Sequence, residues 1–222
     1  MGLRNAQQKK NQQIVQKMIK ALDDDPYEPR RYYDLGSMLT EMQSFQQAEE
    51  LFLKGLNVFE KEPAKQNILH YGLGNVYYSA GMYTQAVQQF DLVTDQKLRL
   101  DSLMMLAQSY YAQQQYQQAL AYALTVSEKR PADPSPSALL GDCFLALGDF
   151  KNAQNYYDKS LAKDPANVRV NFQRGIVALA LGEDGSRFFQ QVKQTDPKFY
   201  RQNKERLDDI ATLIKDRQDP RE

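Results

Sequence analysis

The side chains best suited to catalysis in this 222-residue chain are its single histidine, His70, and its single cysteine, Cys143. A general base must lie within hydrogen-bonding reach of the group it serves. A nucleophilic thiol needs an adjacent base or cation that stabilises the thiolate. His70 falls on a helix face made largely of apolar side chains, and no histidine lies near Cys143 in the sequence. Both are interpreted as packed side chains, and we expect no catalytic residue and no enzymatic activity.

A run of three aspartates, Asp23-Asp24-Asp25, is the feature most similar to a metal site. Calcium loops space their oxygen ligands at alternating positions around a turn, and this run lacks that spacing. Asp25 precedes Pro26, and a residue before proline disfavours the helical conformation. The aspartates are therefore interpreted as a solvated helix end. We expect no metal site and no cofactor site.

The charge balance argues against nucleic acid and membrane partners. Lysine plus arginine and aspartate plus glutamate each number 28, so no net charge attracts a polyanion over a long range. The opening segment is polar and lacks the apolar core of a secretory signal. No apolar run approaches the ~18 residues of a membrane span. A lone cysteine excludes an intrachain disulfide, as is common in a reducing compartment. These features favour a cytoplasmic protein that binds neither nucleic acid nor membrane.

The elements that would position a site follow a repeat of small residues, found at Gly36, Gly74, Ala107, Gly141 and Gly175. The intervals between them are 38, 33, 34 and 34 residues. An alanine follows each of the first four after twelve residues, at Ala48, Ala86, Ala119 and Ala153. Helical periodicity surrounds each small residue and each alanine, with a short turn between them. This period is that of a unit built from two helices.

Residues 73–93, LGNVYYSAGMYTQAVQQFDLV, and residues 140–165 resemble the tetratricopeptide repeat family, of the small stand-alone bacterial type. The resemblance extends from about Pro29 to Pro197. It implies an all-α fold, a right-handed α-solenoid of helix-turn-helix units with terminal capping helices. The fifth copy departs from the pattern. Arg174 replaces a leucine, Gly185 takes the place of the alanine, and Phe189 takes the place of Phe52 in the first copy.

The resemblance divides the chain into seven segments. Residues 1–28 form an N-terminal half-repeat helix, and residues 29–197 form five units. The units span about 29–63, 64–98, 99–133, 134–167 and 168–197. Residues 198–222 form a C-terminal capping helix and tail, with an apolar edge of Leu207, Ile210 and Ile214. The longer first interval predicts an extended second helix in the first unit, near Val58 to Pro63.

Solved members of this family use one face of each first helix to line a concave groove, so the resemblance supplies the location of a site. In this chain the face would carry a nearly continuous apolar and aromatic strip, which soluble proteins seldom leave bare without a use. The alternative is that curvature of the stack buries part of it. The predicted groove residues are Tyr33, Tyr71, Asn75, Tyr78, Met104, Gln108, Tyr111, Asp142, Leu145, Phe172 and Leu179.

These observations predict a non-enzymatic scaffold or adaptor that binds a peptide segment or a helix of a partner protein. Resemblance to small bacterial members of the family implies a partner within an enzyme complex. Two alternatives remain open, a self-associating structural protein and a receptor for a small signalling peptide. Self-association as a weak homodimer would use the N-terminal helix, where Val15 and Ile19 lie opposite the stripe of Ile14, Met18 and Leu22.

Overall fold

A computed structural model describes residues 2–218, and within them the side chains of residues 10–205, 207–209 and 212. The described residues form helices joined by short turns, without a strand among them. The helices are α1 (Gly2–Asp24), α2 (Pro29–Glu41), α3 (Phe45–Val58), α4 (Pro63–Ser79), α5 (Tyr83–Asp91), α6 (Gln96–Ala112), α7 (Tyr116–Lys129), α8 (Pro134–Ala146), α9 (Phe150–Leu161), α10 (Val168–Ala180), α11 (Ser186–Thr195) and α12 (Pro197–Gln218). The all-α fold is confirmed.

The chain divides into two compact units, Met1–Gln113 and Gln114–Glu222. The first unit contains α1 to α6, and the second contains α7 to α12. Within the first unit, α2 packs against α3 and α4, and α4 packs against α5 and α6. Within the second unit, α8 packs against α7 and α9, and α10 packs against α9, α11 and α12. Each unit therefore buries its apolar side chains between neighbouring helix pairs.

The repeated small residue is required because an aromatic ring lies directly against it. A Cβ atom added to any of the four glycines would overlap the ring of a buried side chain on the following helix. Close packing of this kind leaves no room for even one methyl group. The pairs of glycine and ring are Gly36 with Phe52, Gly74 with Phe90, Gly141 with Tyr157 and Gly175 with Phe189. The expectation that Phe189 replaces the aromatic residue of the earlier copies is confirmed.

The tight turns share one backbone conformation. Gly81, Gly148 and Gly182 have φ values of +77°, +76° and +75°, in the left-handed region that glycine enters at no steric cost. Gln43 and Gln114 have φ values of 60° in the corresponding turns of two other pairs. A residue with a Cβ is destabilised there by roughly 1–2 kcal/mol. Helix packing on both sides of the turn therefore imposes this conformation even where glycine is absent.

The extra residues of the first interval lie mainly at the start of α4, which has 17 residues against 13 in α2. The helix α3 has 14 residues and is longer than α5, α9 and α11, with 9, 12 and 10, but it is no longer than α7, so the expected extension of the second helix holds against three of the four other units. The fully buried ring of Phe59 follows the end of α3 and packs edge-on against Tyr32, with centroids 6.0 Å apart. Pro63 occupies the first turn of α4, where its missing N–H costs nothing.

The last helix pair keeps its packing through two unusual residues. Arg174 is 4% exposed, its Nε donates to Asp158 Oδ1 at 2.8 Å, and its guanidinium lies 4.6 Å from the centre of the Phe188 ring. A Cβ on Gly185 would lie 2.7 Å from the backbone oxygen of Gly175. The usual leucine is thus replaced by a buried arginine that pairs with an exposed aspartate, and the usual alanine by a glycine that allows a closer approach of α10 and α11.

The helix α12 packs against α10 and α11. Phe199, Tyr200 and the buried Leu207 contact the apolar cluster of that helix pair. This placement agrees with a capping role, since one edge of α12 seals the cluster and most of its other described side chains are exposed. The side chains of Ile210 and Ile214 lie outside the described residues.

Candidate functional site

The first unit brings seven of the predicted groove residues to half-buried positions on three neighbouring helices. They lie on the same side of α2, α4 and α6, at helical spacing from the small residue of each helix. The packing of α2 on α4 and of α4 on α6 places these sides next to one another. We call this surface the tyrosine face: Tyr33, Tyr71, Asn75, Tyr78, Met104, Gln108 and Tyr111.

Two tyrosine rings bridge the first two helices of the tyrosine face. The rings of Tyr33 and Tyr71 stack with centroids 6.4 Å apart and an interplanar angle of 27°. Tyr71 in turn contacts Phe90 in the core, with centroids 5.8 Å apart. The Arg30 guanidinium lies 5.7 Å from the centre of the Tyr33 ring. These contacts hold the rings in fixed orientations, which lowers the entropic cost of using them to bind a partner.

Tyr78 has an aromatic neighbour that sequence reasoning missed. Its ring meets Tyr83, the first residue of α5, with centroids 5.5 Å apart and an angle of 63°. Burial, and secondarily the nearby Tyr83 hydroxyl, raise the pKa of Tyr78. Its hydroxyl therefore stays protonated at neutral pH and can donate a hydrogen bond. Tyr83 follows the turn at Gly81 and lies nine residues after Gly74, a spacing at which an aromatic residue also follows the small residue in other copies.

The members of the tyrosine face carry no charge. Arg30, which lies over the Tyr33 ring, pairs its Nε with Asp34 Oδ1 at 3.3 Å, and both side chains are exposed. An exposed pair of this kind is largely neutralised and screened by salt. The members of the tyrosine face therefore offer rings, hydroxyls, a thioether and amides, and no charged group of their own.

In the second unit Asp142 is a structural residue, which corrects its prediction as a groove residue. Its side chain is 7% exposed and accepts hydrogen bonds from the Tyr157 hydroxyl at 2.8 Å and from Arg169 Nη1 at 2.6 Å. Burial raises the pKa of Asp142, and the neighbouring Arg169 and Tyr157 partly oppose this. With both oxygens engaged, the carboxylate ties α8 to α9 and α10 and is not available to orient a partner.

Phe172 is also buried, which corrects its prediction as an accessible groove residue. It is 3% exposed and packs edge-on against Phe189 and Phe199, with centroids 5.8 Å and 5.6 Å away. Leu179 is half-buried against the same cluster, and Leu145 is half-buried against the cluster formed by α8, α9 and α10. The helix α12 supplies Phe199, so the chain itself covers this position.

The two residues considered for catalysis are engaged in packing. His70 Nδ1 lies 2.9 Å from Gln89 Oε1. Cys143 is fully buried, and burial, followed by the charge of Asp142, raises the pKa of its thiol to about 12. A thiol with this pKa is not a nucleophile at neutral pH.

No group of three or more histidine, cysteine, aspartate or glutamate side chains in the described part of the chain is arranged to hold a metal ion. Among the helices of residues 2–218, none is long and apolar enough to cross a membrane.

Comparison with known proteins identifies related sequences. Residues 104–168 and 138–185 match the sequence model of a family described as tetratricopeptide repeat. The human tetratricopeptide repeat protein 16 is 23% identical over 215 residues, covering 96% of this chain and 22% of that protein. The chain thus spans about a fifth of the length of this curated relative.

Solved structures share the fold. PilF of Pseudomonas aeruginosa superposes with a TM-score of 0.72 and 18% identity, covering 92% of this chain and 93% of that chain. YrrB, described as a TPR protein with an unusual peptide-binding site, superposes with a TM-score of 0.61 and 20% identity, covering 82% of this chain and 93% of that chain. At these identities the similarity shows the fold alone.

Proposed function

The chain belongs to the tetratricopeptide repeat family, and from this premise we propose that it is a cytoplasmic, non-enzymatic adaptor that binds a partner protein on its tyrosine face. The observation that supports this most is the set of half-buried tyrosines on α2, α4 and α6. Tyrosine is enriched at interaction hot spots because it combines a large ring with a polar hydroxyl. The peptide-binding site described for YrrB is consistent with this use of the fold.

Replacing Tyr78 and Tyr111 together with alanine should weaken capture of the partner from native lysate by about 2 kcal/mol, or roughly thirtyfold. Both side chains are half-buried, so the thermal midpoint should change by only a few degrees. Quantitative mass spectrometry of proteins retained by each immobilised variant would measure the loss and would show whether the partner belongs to an enzyme complex.

The matched control is Gln88→Ala, an exposed residue of α5, which should capture the same proteins as the wild type. Unchanged capture by the double variant, with a large fall in its thermal midpoint, would show that the tyrosines are core residues and would refute the proposal.

A second candidate function, self-association, is favoured by an apolar cleft at the N-terminal end of the first unit. The cleft lies between α1, α2 and α3 and has a volume of about 490 Å³. Ile19, at its edge, is 37% exposed. Glu50 and Lys54 also line the cleft, so a second copy related by a two-fold axis could place opposite charges against each other. Its apolar lining consists of Val15, Ile19, Leu35, Leu39 and Leu51.

If this second candidate holds, the wild type should sediment as a dimer at tens of micromolar, and Ile19→Lys should sediment as a monomer. The physical reason is that a buried, unpaired lysine at a two-fold interface is strongly unfavourable. Gln13→Lys, an exposed position on the same helix, supplies the control for added charge. A monomeric wild type would remove self-association as a candidate function and leave partner binding on the tyrosine face as the remaining one.

A further inference from the structure

Together with Ser37 and Thr40 of α2, the residues of the tyrosine face are ordered in three rows that cross α2, α4 and α6. One outer row contains Tyr33, Tyr71 and Met104, three residues before each small residue. The central row contains Ser37, Asn75 and Gln108, one residue after it. The other outer row contains Thr40, Tyr78 and Tyr111, four residues after it. All nine side chains are half-buried. Polar groups therefore lie between two rows rich in aromatic rings.

The central row contains unused hydrogen-bonding groups. No hydrogen bond within the described part of the chain uses the side-chain amide of Asn75 or Gln108. By contrast, the amide of Asn67 on the same helix donates to Pro63 O and accepts from the backbone of Thr94 and Asp95. Half-buried amides usually find partners, so two neighbouring unpaired ones are suited to groups supplied by a ligand.

The width between the outer rows selects the conformation of that ligand. The outer rows are seven residues apart on each helix, which corresponds to about 10.5 Å along the helix axis at 1.5 Å per residue. Side chains fill part of this width, whereas an α-helix measures about 10–12 Å across with its own side chains. An α-helical ligand is therefore too wide to reach the central amides. A single extended chain fits.

We propose that the tyrosine face binds an uncharged, proline-rich segment in the polyproline II conformation, lying along the central row across α2, α4 and α6. This rests on the proposed function. The carbonyl groups of a polyproline II helix make no internal hydrogen bonds, so Asn75 and Gln108 can donate to them. Proline has no N–H group that would need an acceptor. Its compact apolar ring packs against tyrosine rings, as in other aromatic-lined sites for such segments.

The repeat of the ligand also matches the repeat of the surface. Neighbouring helices pack about 8–10 Å apart. A polyproline II helix has three residues per turn and rises about 3.1 Å per residue, so one turn advances about 9.3 Å. Equivalent ligand residues would therefore meet α2, α4 and α6 in succession. A β-strand alternates its side chains between opposite faces every residue and cannot keep this register over three residues.

Fluorescence anisotropy with a labelled, end-capped oligoproline of about nine residues would test the proposal, since that length covers three helices at about 9.3 Å per turn. The oligoproline should bind at least tenfold more tightly than an uncharged glycine-serine peptide of equal length or an uncharged helical alanine-leucine peptide. Asn75→Ala should weaken oligoproline binding about tenfold, the scale of one lost hydrogen bond. Asn57→Ala, an exposed amide on α3, should leave the affinity unchanged.

The outcomes separate this inference from the proposed function. If the helical peptide binds best, or if oligoproline does not bind while lysate capture still depends on Tyr78 and Tyr111, the polyproline inference is overturned and the adaptor function stands. If oligoproline binds equally well to wild type and Asn75→Ala, the placement along the central row is wrong. If no peptide binds, and if the double variant of Tyr78 and Tyr111 captures the same proteins from lysate as the wild type, both proposals fail.

Discussion

Replacing Tyr157 with alanine should lower the free energy of unfolding by about 3–5 kcal/mol. The ring is fully buried and lies directly against Gly141, so its removal leaves a cavity between α8 and α9. The same substitution removes the hydroxyl that donates to Asp142. Urea denaturation followed by circular dichroism would measure the loss.

Tyr157→Phe is the matched control, because it keeps the ring and removes only the hydroxyl. It should cost about 1.5–3 kcal/mol at neutral pH, the range for a hydrogen bond to a charged group. Burial raises the pKa of Asp142 in the folded protein. The protonated carboxyl is therefore favoured by folding, and stability falls as the pH rises through this pKa. The hydrogen bond from Tyr157 stabilises the ionised Asp142 carboxylate in the folded protein and therefore reduces this loss of stability.

The difference between wild type and Tyr157→Phe should accordingly be largest at neutral pH and should shrink as the pH is lowered through the raised pKa of Asp142, where the carboxyl becomes protonated. Denaturation curves of both proteins at several pH values provide the comparison. A difference that stays constant or grows at low pH would contradict the assignment of this hydrogen bond to the ionised carboxylate.

Replacing Gly185 with alanine should cost about 1–3 kcal/mol, the range for an added methyl group in a packed interior. The new Cβ would lie 2.7 Å from the backbone oxygen of Gly175 and 3.1 Å from the Phe189 ring. Backbone cannot move aside as a flexible side chain can, so α10 and α11 must separate. Alanine occupies this place in the first four copies, which makes the predicted destabilisation opposite to that expected from the repeat pattern.

Thermal and urea denaturation would measure this effect, with Gln190→Ala, an exposed residue of α11, as the control. Alanine favours helix, so Gln190→Ala should leave stability within about 0.5 kcal/mol of the wild type. If Gly185→Ala proved as stable as this control, the close approach of α10 to α11 would be refuted.

Much of the fold follows from local regularities of the sequence. A small residue that recurs every 33 to 38 residues, with an alanine twelve residues later in the first four copies, predicts helix pairs because each unit repeats the same local geometry. The aromatic positions of Phe52, Phe90 and Tyr157 are found in the same way. The register of the tyrosine face also depends only on helical spacing, which places Tyr71, Asn75 and Tyr78 on one side of α4.

The tertiary structure decided which of these side chains remain accessible to a partner and which are buried or hydrogen-bonded within the chain. Asn75 and Asp142 occupy equivalent places one residue after the small residue, yet Asp142 is held by Arg169, which lies 27 residues later on another helix. The residue 27 positions after Asn75 is Ser102, which instead donates to Phe90 O. Phe172 is covered by Phe199 of α12, a helix outside the repeat. The sequence alone determined the helices and their faces, because these depend on neighbours within one or two turns. Burial of a given face depends on side chains from distant helices, and repeat spacing carries no information about them.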